Sequence, residues 1–296
     1  MRKISVRLAV AVVLLIAGCV TGPAAKVRVS ESPVSEPRWQ PLFKGVDYFE
    51  YHERAPHPLA VHAVRIDLAA PGIAFLVTPS NGDTPLDTDG LKTSTFLEKY
   101  GCQVAINASY FDPVEQAEGA PKNIIGLSMS RGEVYSKYEA RDELRAMSLL
   151  ISKESRAWFA SPPPDTSGAY NAVQGSIQLI GDGKILAGTY NPAREMTRHP
   201  LTAIGLDGNG RFMYWLVIDG RQPGYSEGVN TLEMADWLKW LGAHDAALFD
   251  GGGSTTLVVE DSHGRSKVMN RPIHDGVPGT ERVNGNHLGL YAQPLD

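Results

Sequence analysis

Residues 212–218 (FMYWLVI) form an unbroken apolar run of seven, rich in aromatic and branched side chains and closed by Asp219-Gly220. Such a run predicts a strand buried on both faces. The pattern then changes period. Asn230 and Glu233 stand three apart as an N-cap pair, and Leu232, Ala235, Leu238 and Leu241 recur at helical spacing beside Trp237. Gly242 is placed to stop that helix. Residues 246–249 predict a short second strand closed by Asp250, and residues 256–260 a third. Strand, helix and strand in succession predict two parallel neighbours with a right-handed crossover.

Short strand-like stretches fill the rest of the chain. Residues 61–68 alternate with period two, and 73–77, 103–106, 126–129, 147–151 and 177–180 are short apolar runs. Residues 91–99 predict a helix. Gly181-Asp182-Gly183 and Asp207-Gly208-Asn209-Gly210 are hairpin turn signals, and Ser161-Pro162-Pro163-Pro164 is a surface loop. No internal repeat or sharp composition shift appears. The expected fold class is α+β: a strand-rich single domain over residues 41–296, with a mixed sheet, a few helices and one strand–helix–strand crossover.

The N-terminus follows a different pattern. Arg2, Lys3 and Arg7 precede an apolar stretch at 8–16, too short for a stable membrane span, so residues 1–18 read as a secretory signal. The stretch ends Ile16-Ala17-Gly18-Cys19, which resembles a bacterial lipobox with Cys19 as the lipidated residue. Val20 follows, so the expected location is the bacterial cell envelope, at the outer membrane facing the periplasm. Residues 19–40, rich in Pro, Ser, Glu and Val, read as a flexible tether.

At 43% hydrophobic and 21% charged residues, a packed core is expected. Loss of Arg2, Lys3 and Arg7 with the signal takes the net charge from −5 to −8, and no basic stripe remains to hold nucleic acid. If Cys19 is lipidated, Cys102 is left alone and reads as a small buried hydrophobe.

The candidate chemistry gathers where the apolar runs end. Asp219-Gly220-Arg221 and Asp250-Gly251-Gly252-Gly253-Ser254 would both follow carboxyl ends of neighbouring strands, the edge where ligands bind in such sheets. A strand ending in Asp-Gly is often only a turn. Three consecutive glycines are harder to dismiss, because they cost conformational entropy and let backbone N–H groups form an anion nest. No GxSxG elbow and no HExxH motif is present, and His52, His57 and His62, spaced by five, read as surface or core histidines. No cofactor is indicated, although a divalent cation between the two aspartates is left open.

With those residues in view, the chain resembles the phosphodiester glycosidase family over roughly residues 100–292. The resemblance rests on Ala105-Ile106-Asn107-Ala108-Ser109-Tyr110-Phe111-Asp112, on Gln174-Gly175-Ser176-Ile177-Gln178-Leu179, on Thr202-Ala203-Ile204-Gly205, and on Asp219-Gly220-Arg221. It continues through Gly224 to Leu232, the DGGGS loop, Asn270-Arg271-Pro272 and Glu281-Arg282-Val283-Asn284. Two positions depart from the family pattern: Leu201 stands where Arg usually precedes TAIG, and Phe249 where a small or polar residue usually precedes DGGGS.

The resemblance implies hydrolysis of a sugar-1-phosphodiester at the anomeric carbon, on a phosphoglycan or a smaller substrate. Asp219 and Asp250 become candidates for nucleophile or base. Arg221, Arg282 and the backbone of Gly251, Gly252, Gly253 and Ser254 become phosphate holders. Asn107 and Ser226 would bind sugar hydroxyls, and Tyr110 would stack on the ring. Two rival readings stand beside this one: a non-catalytic glycan-binding envelope lipoprotein, and a phosphodiesterase that cuts P–O.

Overall fold

The all-apolar strand Phe212–Ile218 is buried on both faces because it lies inside an eight-stranded sheet covered on both sides. Met213, Trp215 and Val217 point into one core and Tyr214, Leu216 and Ile218 into another. The sheet runs in the order Gln40–Phe43, Val46–Glu53, Leu59–Asp67, Phe212–Ile218, Leu201–Leu206, Asp245–Leu248, Gln178–Gly181, Lys184–Ile185. The computed structural model describes residues 36–82, 84–114, 117–138, 147–187 and 196–295. These fall in one compact unit, Ser32–Asp296. The signal segment, Cys19 and most of the expected tether lie outside the described residues. The tether ends earlier than residue 40, since Trp39 already packs its ring against Phe49 and Tyr214.

One core lies between the large sheet and two five-stranded sheets. The first of these runs Ser266–Val268, Leu257–Glu260, Val104–Asn107, His287–Tyr291, Ala74–Val77. The second runs Glu133–Ser136, Ser128–Ser130, Asn171–Gln174, Ser148–Ile151, Ala157–Ala160. Phe75, Val104, Ile106, Leu149, Val173, Leu257 and Leu290 meet Val64, Ile204, Trp215 and Phe249 there. The opposite face of the large sheet is covered by α2 (Thr231–Leu241), through Met234, Ala235, Trp237, Leu238 and Leu241. Burial of that stripe, more than intrinsic propensity, holds so short a helix. The sequence signals at its ends are met. Asn230 accepts from Glu233 N–H while the Glu233 side chain accepts from Asn230 N–H, and Gly242 closes the helix at φ 111°. The earlier helix, α1 (Thr93–Tyr100), lies on the outer face of the first five-stranded sheet, where Phe96 and Leu97 pack on Ala105 and Val258. Cys102 is buried in the same cluster, and burial pushes its thiol up to about 12, as suits a small hydrophobe.

Two expectations need correction. Every pairing between the named strands of the described residues is antiparallel, so those residues are strand-rich and mostly β, with two α-helices and no mixed sheet among them. The strands on either side of α2 are also not neighbours. The Leu201–Leu206 strand lies between Phe212–Ile218 and Asp245–Leu248 and is antiparallel to both. Its hairpin with Phe212–Ile218, through the turn at 207–210, takes the edge that a direct crossover would have used.

Candidate active site

Phe212–Ile218 and Asp245–Leu248, both antiparallel to the strand between them, point their carboxyl ends the same way. Asp250 follows the second strand after Phe249, whose ring is wholly buried in the main core. The chain then makes one tight 3-10 turn, Gly252–Ser254. Gly252 sits at φ 64°, a left-handed value that a side chain disfavours. Gly253 is crossed by Arg282, whose Nη2 lies 2.5 Å from where a Cβ would stand.

The turn forms one wall of a cleft of about 300 Å³. Asp250, Gly251, Gly252, Gly253, Arg221 and Arg282 line it together with Tyr110 and His199. Ser176, Ile177, Leu201 and Leu248 line another part, as does Thr231, the first residue of α2. Two guanidiniums in one cleft put positive charge there. The cleft suits an anion.

Asp250 is 8% exposed, and burial pushes its carboxyl up to about 6, against the opposing pull of Ser254, Arg282 and the Gly251 N–H. Gly251 N donates to its Oδ1 at 2.9 Å and Ser254 Oγ to its Oδ2 at 2.5 Å. Arg282 Nη1 donates to Ser254 Oγ at 3.2 Å. Burial lowers the pKa of Arg282, while Asp250 raises it. Arg221, whose guanidinium lies 3.1 Å from where a Cβ of Gly252 would stand, holds φ 58°, a strained value for a residue with a side chain. Its Nη2 donates to His199 Nδ1 at 3.3 Å.

The structure brings Asp250, Arg221, Arg282, Tyr110 and the three glycines to one cleft, with Ser254 directly behind Asp250. It does not bring Asp219 there. That carboxylate is 1% exposed and accepts from Asn270 Nδ2 at 2.8 Å, Arg271 N at 2.8 Å and Tyr225 OH at 3.1 Å. His62 Nε2 lies 3.6 Å away, its Nδ1 bonded to Tyr48 OH at 2.7 Å. Asp219 thus closes a buried polar network, and the expected pairing with Asp250 on one substrate is not formed. A cation shared by the two aspartates has no such pair in the cleft. Among the described residues, no group of three or more His, Cys, Asp or Glu converges on a metal position either.

Two further residues lie in the scaffold. Ser226 is buried and donates to the Asp219 carbonyl at 2.6 Å while accepting from Ala60 N at 3.2 Å. Asn107 is 1% exposed. It donates to the Asp250 carbonyl at 2.6 Å and accepts from Thr202 Oγ1 at 2.8 Å and Thr256 N at 3.1 Å. These bonds leave it to hold the Asp250 loop instead of a sugar hydroxyl. The glycine nest is also largely occupied. Gly251 N–H serves Asp250, Gly252 N–H serves the Pro200 carbonyl at 2.8 Å, and Ser254 N–H serves the Gly251 carbonyl at 3.2 Å. The side chains of Arg221 and Arg282 are therefore better placed than the loop amides to meet an anion.

Sequence reasoning missed His199, Ser176 and Thr231 as lining residues. His199 directly precedes Pro200 and the TAIG strand, and nothing local distinguishes it from a loop histidine. Of the two departures from the family pattern, Leu201 lines the cleft and Phe249 does not.

A family model described as phosphodiester glycosidase matches residues 100–291. The SPbeta prophage-derived uncharacterized protein YomE of Bacillus subtilis strain 168 is 27% identical over 181 residues, covering 59% of this chain and 26% of that protein. The chain thus spans about a quarter of the length of that curated relative. A solved structure of the zebrafish N-acetylglucosamine-1-phosphodiester alpha-N-acetylglucosaminidase catalytic domain, auto-inhibited by pro-peptide, is similar with TM-score 0.61 and 18% identity, covering 86% of this chain and 85% of that one. A hypothetical protein from Synechocystis gives TM-score 0.57 at 17% identity, over 86% of this chain and 64% of that one. A putative exported protein from Burkholderia pseudomallei K96243 gives 0.55 at 16%, over 80% and 75%. At these identities the three structures speak for the fold alone.

Proposed function

The chain belongs to the phosphodiester glycosidase family, and from that premise we propose that it hydrolyses a sugar-1-phosphodiester at the anomeric C–O bond, releasing the sugar and leaving a phosphomonoester. One observation supports this reading most: a carboxyl pushed up to about 6 shares a cleft with two guanidiniums. A phosphate leaving group needs charge stabilisation more than protonation, so one carboxyl group and two arginines match the task. Arg221 and Arg282 hold the phosphate oxygens, with His199 steadying Arg221. Tyr110 stands on the cleft wall where a sugar ring would lie.

In the hydrolytic step, ionised Asp250 takes a proton from a water whose oxygen bonds to the anomeric carbon. The bond from that carbon to the phosphate oxygen breaks, and its electron pair leaves with the phosphate between the two arginines. A base titrating near 6 is mostly ionised at neutral pH and still basic enough to work. Direct attack by water inverts the anomeric centre.

The test is a panel of sugar-1-phosphodiesters hydrolysed in oxygen-18 water, with the first-formed anomer read by proton NMR. Label in the sugar supports the proposal. Label in the phosphate favours the P–O phosphodiesterase instead, and tight binding without turnover favours the glycan-binding module. Retention of configuration would make Asp250 the nucleophile.

The proposal extends to location: a lipid anchor on Cys19 in the bacterial cell envelope, supported by the basic start, the apolar stretch and the residues before Cys19. Cys19→Ser should remove an acyl mass increment and release the protein from membranes. A wild type carrying no acyl mass would refute it.

A further inference from the structure

His274 is 1% exposed, and no step of the proposed hydrolysis uses it. It is carried by a small hairpin, Ile273–His274 paired with Val277–Pro278, that turns through Asp275 and Gly276 at φ 51° and 75°. The hairpin packs against the Gly252–Ser254 turn. From there His274 Nδ1 accepts from Arg282 Nε at 3.1 Å. Arg282 Nη1 donates to Ser254 Oγ at 3.2 Å, and Ser254 Oγ donates to Asp250 Oδ2 at 2.5 Å. The guanidinium is gripped at Nε and Nη1, and its Nη2 lies against Gly253 at the cleft wall.

A free arginine side chain has large rotamer freedom, and a phosphate that binds it must remove that freedom unless the fold has done so first. The geometry points to His274 as a positioning residue, a neutral ring that accepts the Nε–H of Arg282 and fixes the guanidinium at the cleft wall before substrate arrives. The inference rests on the phosphate-binding role given to Arg282 above.

Acceptance needs a lone pair on Nδ1, so the ring proton sits on Nε2. An imidazolium would set two N–H groups against each other. The charged groups that face the ring are Arg282 across it and exposed Asp275, whose Oδ1 lies 3.6 Å from Nδ1, with Asp250 beyond Arg282. Burial and Arg282 hold the ring below the ordinary histidine pKa, with Asp275 opposing. Both causes favour the neutral ring that this acceptance requires.

Two substitutions separate positioning from space filling. His274→Leu keeps volume and removes the acceptor. His274→Asn gives up volume and keeps an acceptor near the place of Nδ1. Inorganic phosphate binding is read by calorimetry on the wild type, both variants and Arg282→Gln, each below its own melting temperature. His274→Leu should weaken phosphate by about tenfold, what fixing one long side chain is worth, and His274→Asn should recover most of that. Equal weakening in Leu and Asn variants, or none in the Leu variant, overturns the inference. If Arg282→Gln binds phosphate as the wild type does, the phosphate reading falls and the inference with it. If Arg282→Gln weakens binding and His274→Leu does not, the inference falls alone. Nitrogen-15 spectra of the histidine-labelled wild type give a check that needs no variant: an unprotonated, hydrogen-bonded Nδ1 is expected, and a protonated Nδ1 refutes the assignment.

Discussion

Asp219 and Asp250 close strands that run the same way on either side of Leu201–Leu206, and glycine follows each. Their surroundings divide them. Asp219 accepts three hydrogen bonds with His62 close by, and lies away from the cleft. Asp250 accepts two, from its own loop, and lines the cleft with a carboxyl pushed up to about 6. A buried carboxyl whose oxygens are already met by donors from other elements serves the fold. One short of donors stays poised to take a proton, which is what a base must do. The pair teaches that the same strand-end dipeptide is drawn into the scaffold or left facing a cleft according to what packs around it later in the chain.

The sharpest way to break that comparison is Asp250→Asn. Turnover should fall by at least about a hundredfold, the lower end of what a positioned base supplies. Its stability should move in the opposite sense. The raised carboxyl binds its proton more tightly in the folded state, so the penalty grows as pH rises from about 4 to about 6 and is constant above that. Moving a carboxyl from 3.8 to about 6 corresponds to a penalty on the order of 3 kcal/mol at neutral pH. Thermal melts of Asp250→Asn should thus match or exceed the wild type at pH 7.5, and the difference should vanish below about pH 4. A variant that melts well below the wild type at neutral pH would make Asp250 a structural ion.

Asp219→Asn should invert the pattern. Its new N–H₂ meets buried donors, a mismatch that costs about 2–4 kcal/mol. Denaturant unfolding should record that loss, while turnover per folded molecule changes less than about tenfold, too little for a lost base. In the double variant the two stability changes, of opposite sign at neutral pH, and the two turnover changes should simply add, as for sites without shared partners. Strong non-additivity in turnover would restore a joint role.

Arg221 sharpens the cleft side. Arg221→Lys should lower kcat/KM by about tenfold or more, because a point charge cannot replace the planar fork. Arg221→Gly should lose more activity and yet melt no lower, since glycine adopts the left-handed backbone without strain, worth up to about 1 kcal/mol. The smallest effect is expected from Ser254→Ala. Its hydroxyl holds the Asp250 pKa down, so removal should move the acid limb of the pH–rate profile upward and cost only a few-fold at neutral pH, on the order of one hydrogen bond. An unmoved limb would assign that limb to another group.

Local patterns made some of this readable in advance. The double-sided burial of Phe212–Ile218, the Asn230–Glu233 cap and the Gly242 stop each depend on neighbours within a few residues. The place of the Leu201–Leu206 strand between the two aspartate strands was missed because a tight hairpin competes with a crossover for the same edge, and spacing alone does not rank them. The difference between Asp219 and Asp250 was unreadable for a similar reason. Asn270 and Arg271, which saturate Asp219, arrive some fifty residues later. His199 and His274 carry no motif, and only the folded chain sets them beside Arg221 and Arg282.

Asn107 has a consequence for the order of folding. Its one side chain ties Thr202, Asp250 and Thr256 together, closing a loop between residues 149 apart in sequence. Long closures form late, after local hairpins and helices. In refolding from denaturant, the far-ultraviolet signal of the strands should return before the cleft can bind phosphate. A nascent chain halted short of Thr256 would hold every strand of the eight-stranded sheet but lack three of the five in the sheet that carries Asn107, and so would have no finished loop at Asp250.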